Sequence, residues 1–229
     1  MTRVAASSRA GVRDRARLIE HWPLWAGLIL YFLLRFPLID ETGYAQDEVL
    51  IASEIRRGLD VIRCYHPRSL QHYLLWLVTC GGKWNGELYL RGVCVVQGAA
   101  GLAGLYVLVR RYFGLTAAVI AVGVYALSPF QVSMSLYARY YALQMALMIW
   151  AIYTYLRWCE KPGAVWAAST GVLLFLAVRT QPFSGIGVIG LMACAAVYAV
   201  TEGAWRVWRG PERRRQAAAV GAGVIAAAV

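Results

Sequence analysis

Long apolar stretches bordered by arginines run through this chain and leave few folds open to it. They lie at about 22–38, 88–109, 115–128, 137–156, 164–180 and 184–200, and another begins near 217 and runs to the last residue, Val229. About 20 consecutive apolar residues let a helix cross a bilayer core of about 30 Å. With 60% hydrophobic and 15% charged residues and a mean hydropathy of +0.52, a soluble globular domain is excluded. The expected fold is an all-α polytopic membrane protein, with the lipid bilayer as its first partner. A net charge of +11 raises the question of nucleic acid, but the basic residues are not gathered on one soluble face, as such binding requires. Instead Arg3, Arg9, Arg13, Arg15 and Arg17 precede the first apolar run, Arg110 and Arg111 follow a later one, and Arg206, Arg209, Arg213, Arg214 and Arg215 form a third block. Basic clusters at hydrophobic borders are the positive-inside pattern of a membrane protein, so no nucleic-acid partner is expected.

Charge also orients the chain. Residues 1–21 are basic and polar, and no small-residue cleavage site follows the first apolar run, which reads as a retained signal anchor with a cytoplasmic N-terminus. The stretch 70–80, LQHYLLWLVTC, is too short to cross and fits an interfacial or re-entrant segment. If it does not cross, the N-terminus, Arg110-Arg111, Arg157 with Lys161 and the basic loop 201–216 all fall on the cytoplasmic side. The loop 39–87 is then outside, within a transmembrane region spanning 22–200. Residues 217–229 read as the start of a further span that the chain's end interrupts, as in the N-terminal part of a longer protein. Gly and Ala are scattered through the spans, as close packing of helices in lipid favours. Of the five cysteines, Cys94, Cys159 and Cys194 lie in or beside spans and read as small apolar fillers. Cys64 and Cys80 share the outer loop and could pair in an oxidising compartment.

Two adjacent acids, Asp47-Glu48, open the run VLIASEIRRGLD in that loop. Ile51, Ile55 and Leu59 recur at helical spacing, which predicts an amphipathic helix on the membrane surface with Glu48, Arg56 and Asp60 off its apolar stripe. Asp47 at its start is either an N-cap or a base held at the water–lipid boundary. A second acid pair, Asp40-Glu41, abuts the first span and reads as interface chemistry. His66-Pro67 follows, then Gln71, His72 and Tyr73. Zinc needs three or four converging ligands, and two histidines with scattered acids do not establish a site, so no metal or other cofactor is indicated. Farther along, SPFQVSMSLYARYYAL brings Arg139 into a span from the outside. A charge at that depth is costly and marks a functional candidate, and its planar fork suits a phosphate oxyanion; the alternative is snorkelling to the headgroups. Arg179, in RTQPF, faces the same choice, with snorkelling favoured.

The acid pair after the first span, the amphipathic loop helix, the His-Pro before a short apolar run and the SPF…ARYYAL segment together resemble the polyprenol-phosphate-dependent glycosyltransferases of the GT-C superfold. The similarity covers about residues 20–200 and is nearest to the branch that includes protein mannosyltransferases and rhizobial lipopolysaccharide galacturonosyltransferases. It implies a GT-C-like helix bundle, a polyprenyl-phosphate sugar as donor and a glycan, lipid or protein hydroxyl as acceptor. Asp47 corresponds to the catalytic base and Glu48 to its neighbour, while Arg139, with Tyr140 beside it, corresponds to the donor-phosphate contact. His66 falls at a family His-Pro-Pro-Leu-like segment in which Arg68 here replaces the second proline. The implied setting is a bacterial cytoplasmic membrane with chemistry on its outer face. A non-catalytic polytopic protein, transporter-like or a degenerate relative, is the competing reading; a transporter would carry acids or broken helices near mid-bilayer, and few ionisable residues besides Arg139 stand inside the runs.

Overall fold

The computed structural model describes residues 21–40, 46–66, 69–84, 86–181 and 190. Apart from His21 and Gly190, the basic N-terminus, the stretch 184–200, the basic loop 201–216 and the start of the last apolar run lie outside the described residues. Those described are helical, without strands, as the apolar periodicity requires. The first helix, α1 (Trp22–Arg35), continues into a 3-10 turn at Phe36–Leu38. Three short helices follow: α2 (Gln46–Arg57), α3 (Leu59–Tyr65) and α4 (Leu70–Val78). Next come α5 (Glu87–Phe113), α6 (Leu115–Leu127), α7 (Pro129–Leu136), α8 (Tyr141–Glu160) and α9 (Ala164–Thr180).

Helix α5 is the spine. Among the described residues it alone is long and apolar enough to cross a membrane unaided; at 1.5 Å per residue it extends about 40 Å. Helices α6 and α7 meet that measure together but are bent by 58° at their junction. The bend follows from the sequence: Pro129 sits at the first position of α7, and the Ser128 hydroxyl accepts the backbone N–H of Gln131, a cap that starts a new helix. Helices α1 (with its 3-10 turn) and α9 are apolar but shorter. As expected, α4 does not cross, because nine residues extend only about 14 Å.

Three apolar clusters hold these elements. Tyr31, Val95, Leu102, Tyr106, Val122 and Tyr125 join α1, α5 and α6. Ile51, Ile55, Ile62, Leu75, Leu90 and Ala138 join the short helices to α5. Ala151, Leu174 and Val178 join α8 to α9. The second cluster corrects one expectation. The stripe of α2 faces protein rather than lipid, and Glu48 lies on it, since the buried positions are Glu48, Ile51, Ala52 and Ile55. The outward apolar residues of α2 are Val49 and Leu50. Gly58, with φ of 102°, breaks the helix before Leu59 can extend the stripe. Asp47, moreover, is the second residue of α2 rather than its cap. Cys64 and Cys80 are both exposed free thiols.

The two ends of the bundle differ in chemistry. At one end Arg110 Nη1 lies 2.7 Å from His21 Nδ1, and Arg111 and Arg157 both bind Glu160, at 2.6 and 2.8 Å. The start of α1 and the ends of α5 and α8 therefore meet there, the grouping that the basic borders predict. At the opposite end lie the close of α1, the helices α2–α4 and the α7–α8 connection.

Close packing along α5 depends on glycines. A Cβ on Gly101 would stand 2.8 Å from the Tyr125 hydroxyl and 3.5 Å from Ala146 Cα, whereas one on Gly92 would meet nothing within 4 Å. Gly101→Val should therefore destabilise the bundle by about 1–3 kcal/mol through overpacking. Gly92→Ala should leave the thermal midpoint in detergent unchanged or slightly raised. Equal midpoints for the two variants would contradict this packing.

Candidate functional site

Glu48 is where the loop helix is fastened. Its carboxylate accepts from Arg91 Nε at 3.2 Å and Nη2 at 2.8 Å, a two-pronged contact between α2 and α5. The same carboxylate accepts the backbone N–H of Ala138 at 2.8 Å, so it also holds the connection between α7 and α8. Arg91 in turn donates to the Ile39 carbonyl at 2.6 Å and to Glu87 at 3.1 Å. The Glu48 and Arg91 side chains are 2% and 3% exposed. Two buried charges are tolerable only with such complete pairing. Sequence reasoning passed over Arg91, because a lone arginine near the start of an apolar run resembles any border charge. Arg35 was missed for the same reason. It is fully buried at the end of α1, donating to Ser135 at 2.7 Å and to the carbonyls of Tyr31 and Ala126 at 3.1 and 3.2 Å, with its guanidinium 3.6 Å from the Tyr31 ring centroid.

Fastening Glu48 to Ala138 sets its neighbours side by side. Asp47 Oδ2 lies 3.1 Å from Arg139 Nη1. Arg139 belongs to the non-helical connection between α7 and α8 and not to a span: α8 starts only at Tyr141, four residues later than expected. That connection satisfies part of the arginine's surroundings, with the Tyr140 and Tyr141 rings 5.8 and 5.9 Å from its guanidinium carbon.

Asp47 and Arg139 open onto a cavity of about 410 Å³, within the size range of small-molecule sites. Four of the five sequence candidates line it: Asp47, His66, Arg139 and Tyr140. The fifth, Glu48, stands behind the wall. Glu54 and Ser69 also line it, as do Gln71 and His72, to which the sequence assigned no role. So does Arg179, which joins Arg139 at the cavity. Its neighbour Gln181 lines the cavity as well. Burial raises the Tyr140 phenol above its usual range, with the Tyr141 hydrogen bond adding to the effect, so it stays protonated as a donor.

Glu54, His66 and His72 converge on one wall. Glu54 Oε2 lies 3.0 Å from His66 Nε2 and 3.7 Å from His72 Nε2, and the two imidazoles stack with centroids 4.1 Å apart. Burial pushes His72 down to about 4, with His66 and Arg139 contributing, so its ring is neutral at neutral pH. The scattered acids of the sequence thus include one that folding brings to both histidines. Glu54 and His72 share no short spacing that would have revealed it.

The two acids of the pair should respond differently to removal. Glu48→Ala leaves Arg91 buried without its main partner and should cost about 3–5 kcal/mol. Asp47→Asn breaks a half-exposed pair and should cost no more than about 1 kcal/mol. Thermal unfolding in detergent checks both; equal losses would contradict the division of labour.

Comparison with known proteins places the chain in a family. The profile of the dolichyl-phosphate-mannose-protein mannosyltransferase family matches residues 66–228, most of the chain, including the His66 end of the cavity and the connection that carries Arg139. No curated protein and no solved structure matches the chain. The family is one of integral membrane glycosyltransferases. This chain belongs to the dolichyl-phosphate-mannose-protein mannosyltransferase family.

Proposed function

We propose that the chain transfers a sugar from a polyprenyl-phosphate donor to a hydroxyl of a glycan, lipid or protein acceptor, with inversion at the anomeric carbon and on the outer face of the membrane. The observation that carries this reading is the pairing of Asp47 with Arg139, at 3.1 Å, on the wall of a cavity that Arg179 also lines. A carboxylate beside guanidinium groups in a cavity is what a reaction needs when it deprotonates an alcohol and releases a phosphate.

The steps follow from those groups. The donor phosphate competes with Asp47 for Arg139, whose planar fork matches a phosphate oxyanion. Taking that place frees the Asp47 carboxylate. The acceptor hydroxyl oxygen then attacks the anomeric carbon from the face opposite the phosphate. Its proton passes to Asp47 as the carbon–oxygen bond to phosphate breaks, and the bonding pair leaves with the polyprenyl phosphate. Arginine charge stabilises that leaving group, so no general acid is required. Tyr140 and His66 border the donor. Glu48 acts at one remove: through Arg91 and the Ala138 N–H it fixes α2 and the connection, and thereby the distance between base and phosphate contact. The basic end of the bundle lies on the cytoplasmic side, which puts the cavity outside.

A transfer assay with polyprenyl-phosphate mannose and other polyprenyl-phosphate sugars in membranes tests the assignment. Asp47→Asn should lower turnover about 10²–10⁴-fold while the protein stays folded, and Arg139→Gln should act chiefly on the donor KM. Full turnover by Asp47→Asn, with a donor that the wild type uses, would overturn the assignment of the base.

A further inference from the structure

Glu54 and His72, which the transfer reaction does not call for, form a constellation with His66. They come from three places in the fold, namely α2, the residue after α3, and α4. Their side-chain donor atoms all lie within 4.8 Å of one another. Two nitrogen or oxygen ligands at about 2.0–2.2 Å from a tetrahedral ion stand about 3.3 Å apart. The two contacts to Glu54, at 3.0 and 3.7 Å, bracket that spacing.

His72 adds an independent observation. Its side chain is 8% exposed, and its Nε2 is buried with no hydrogen-bond partner among the described residues, 3.7 Å from Glu54 Oε2. A buried polar atom left this way carries a desolvation penalty, and such atoms call for an explanation. The other ring nitrogen, Nδ1, lies 2.6 Å from Ser69 Oγ. With Nδ1–H donating to that hydroxyl, the Nε2 lone pair is left free on the side of Glu54. Holding a metal-binding imidazole through its second nitrogen is the usual arrangement around metal sites.

We propose that Glu54, His66 and His72 bind one divalent transition-metal ion of the zinc class. Two imidazoles and one carboxylate are the ligand set of three-ligand zinc sites that keep an open position, whereas calcium and magnesium favour all-oxygen shells. All three residues line the 410 Å³ cavity, so the fourth position faces its interior, where water or an anionic oxygen completes the shell. The ion would also tie α2, α3 and α4 together beside Asp47. His66 belongs to both the ion site and the border of the proposed donor site, and metal retention is measured without the transfer reaction.

The full chain in detergent, stripped with a chelator, is equilibrated with Zn²⁺, desalted and analysed for metal by mass spectrometry, with Co²⁺ absorption as an optical readout. The wild type should retain one ion per chain, show the visible bands of tetrahedral Co²⁺ and unfold at a higher temperature with Zn²⁺ than without. His66→Gln and Glu54→Gln change partly exposed side chains and should abolish stoichiometric retention and the thermal shift while circular dichroism stays helical. Ser69→Ala, which leaves every ligand in place, should weaken binding about 10–100-fold. A folded wild type that retains no stoichiometric metal overturns the proposal. So does retention by His66→Gln and Glu54→Gln equal to the wild type, which would leave Glu54 and His66 as an ordinary hydrogen-bonded pair.

Discussion

One buried carboxylate organises the site end of this protein. Glu48 binds Arg91 with both oxygens and also takes the N–H of Ala138. Three segments far apart in sequence are thereby registered against one another: the loop helix, the spine helix and the turn between α7 and α8. Such a contact is demanding, because each charge leaves water and regains its energy only through close geometry. That demand makes it useful. Small displacements of α2 would unpair a buried arginine, so the helix has one position. Asp47 and Arg139 adjoin Glu48 and Ala138 in sequence and inherit their separation from this contact.

The energetic contrast within the acid pair separates two tasks that the sequence merges. Glu48 faces inward, where pairing is worth most and substrate does not reach. Asp47 faces the cavity, where its pair with Arg139 is half-exposed and weak enough to exchange. In the proposed reaction, a guanidinium that holds either a carboxylate or a phosphate would couple donor arrival to release of the base. The rest of the cavity wall comes from α2, the connection between α3 and α4, α4 and the end of α9, so the short helices contribute chemistry as well as packing.

Much of the fold was legible because lipid imposes a simple grammar. Apolar runs marked α1, α6 and α9 nearly to the residue and α5 to within four, and basic borders grouped the helix ends that do meet. Pro129 after Ser128 marked the break between α6 and α7. Less visible was whatever depends on contacts between distant residues. The apolar spacing of Ile51 and Ile55 was read correctly as a stripe, but periodicity does not say whether a stripe faces lipid or protein. The partner of Glu48 was hidden in an arginine that looked like a border charge. Arg139 was found, yet its place in a connection rather than a span followed from helix geometry that residue type does not encode. Four of the five site candidates line one cavity, and Glu54, His72 and Arg179 join them there only through folding.

The exchange at Arg139 is tested most directly by equilibrium binding of a polyprenyl phosphate to the purified protein in detergent, without any acceptor. If Asp47 and the phosphate compete for one guanidinium, Asp47→Asn binds the lipid phosphate more tightly than the wild type, and Arg139→Gln binds it more weakly than either. Weaker binding by Asp47→Asn than by the wild type, or undiminished binding by Arg139→Gln, would contradict the account.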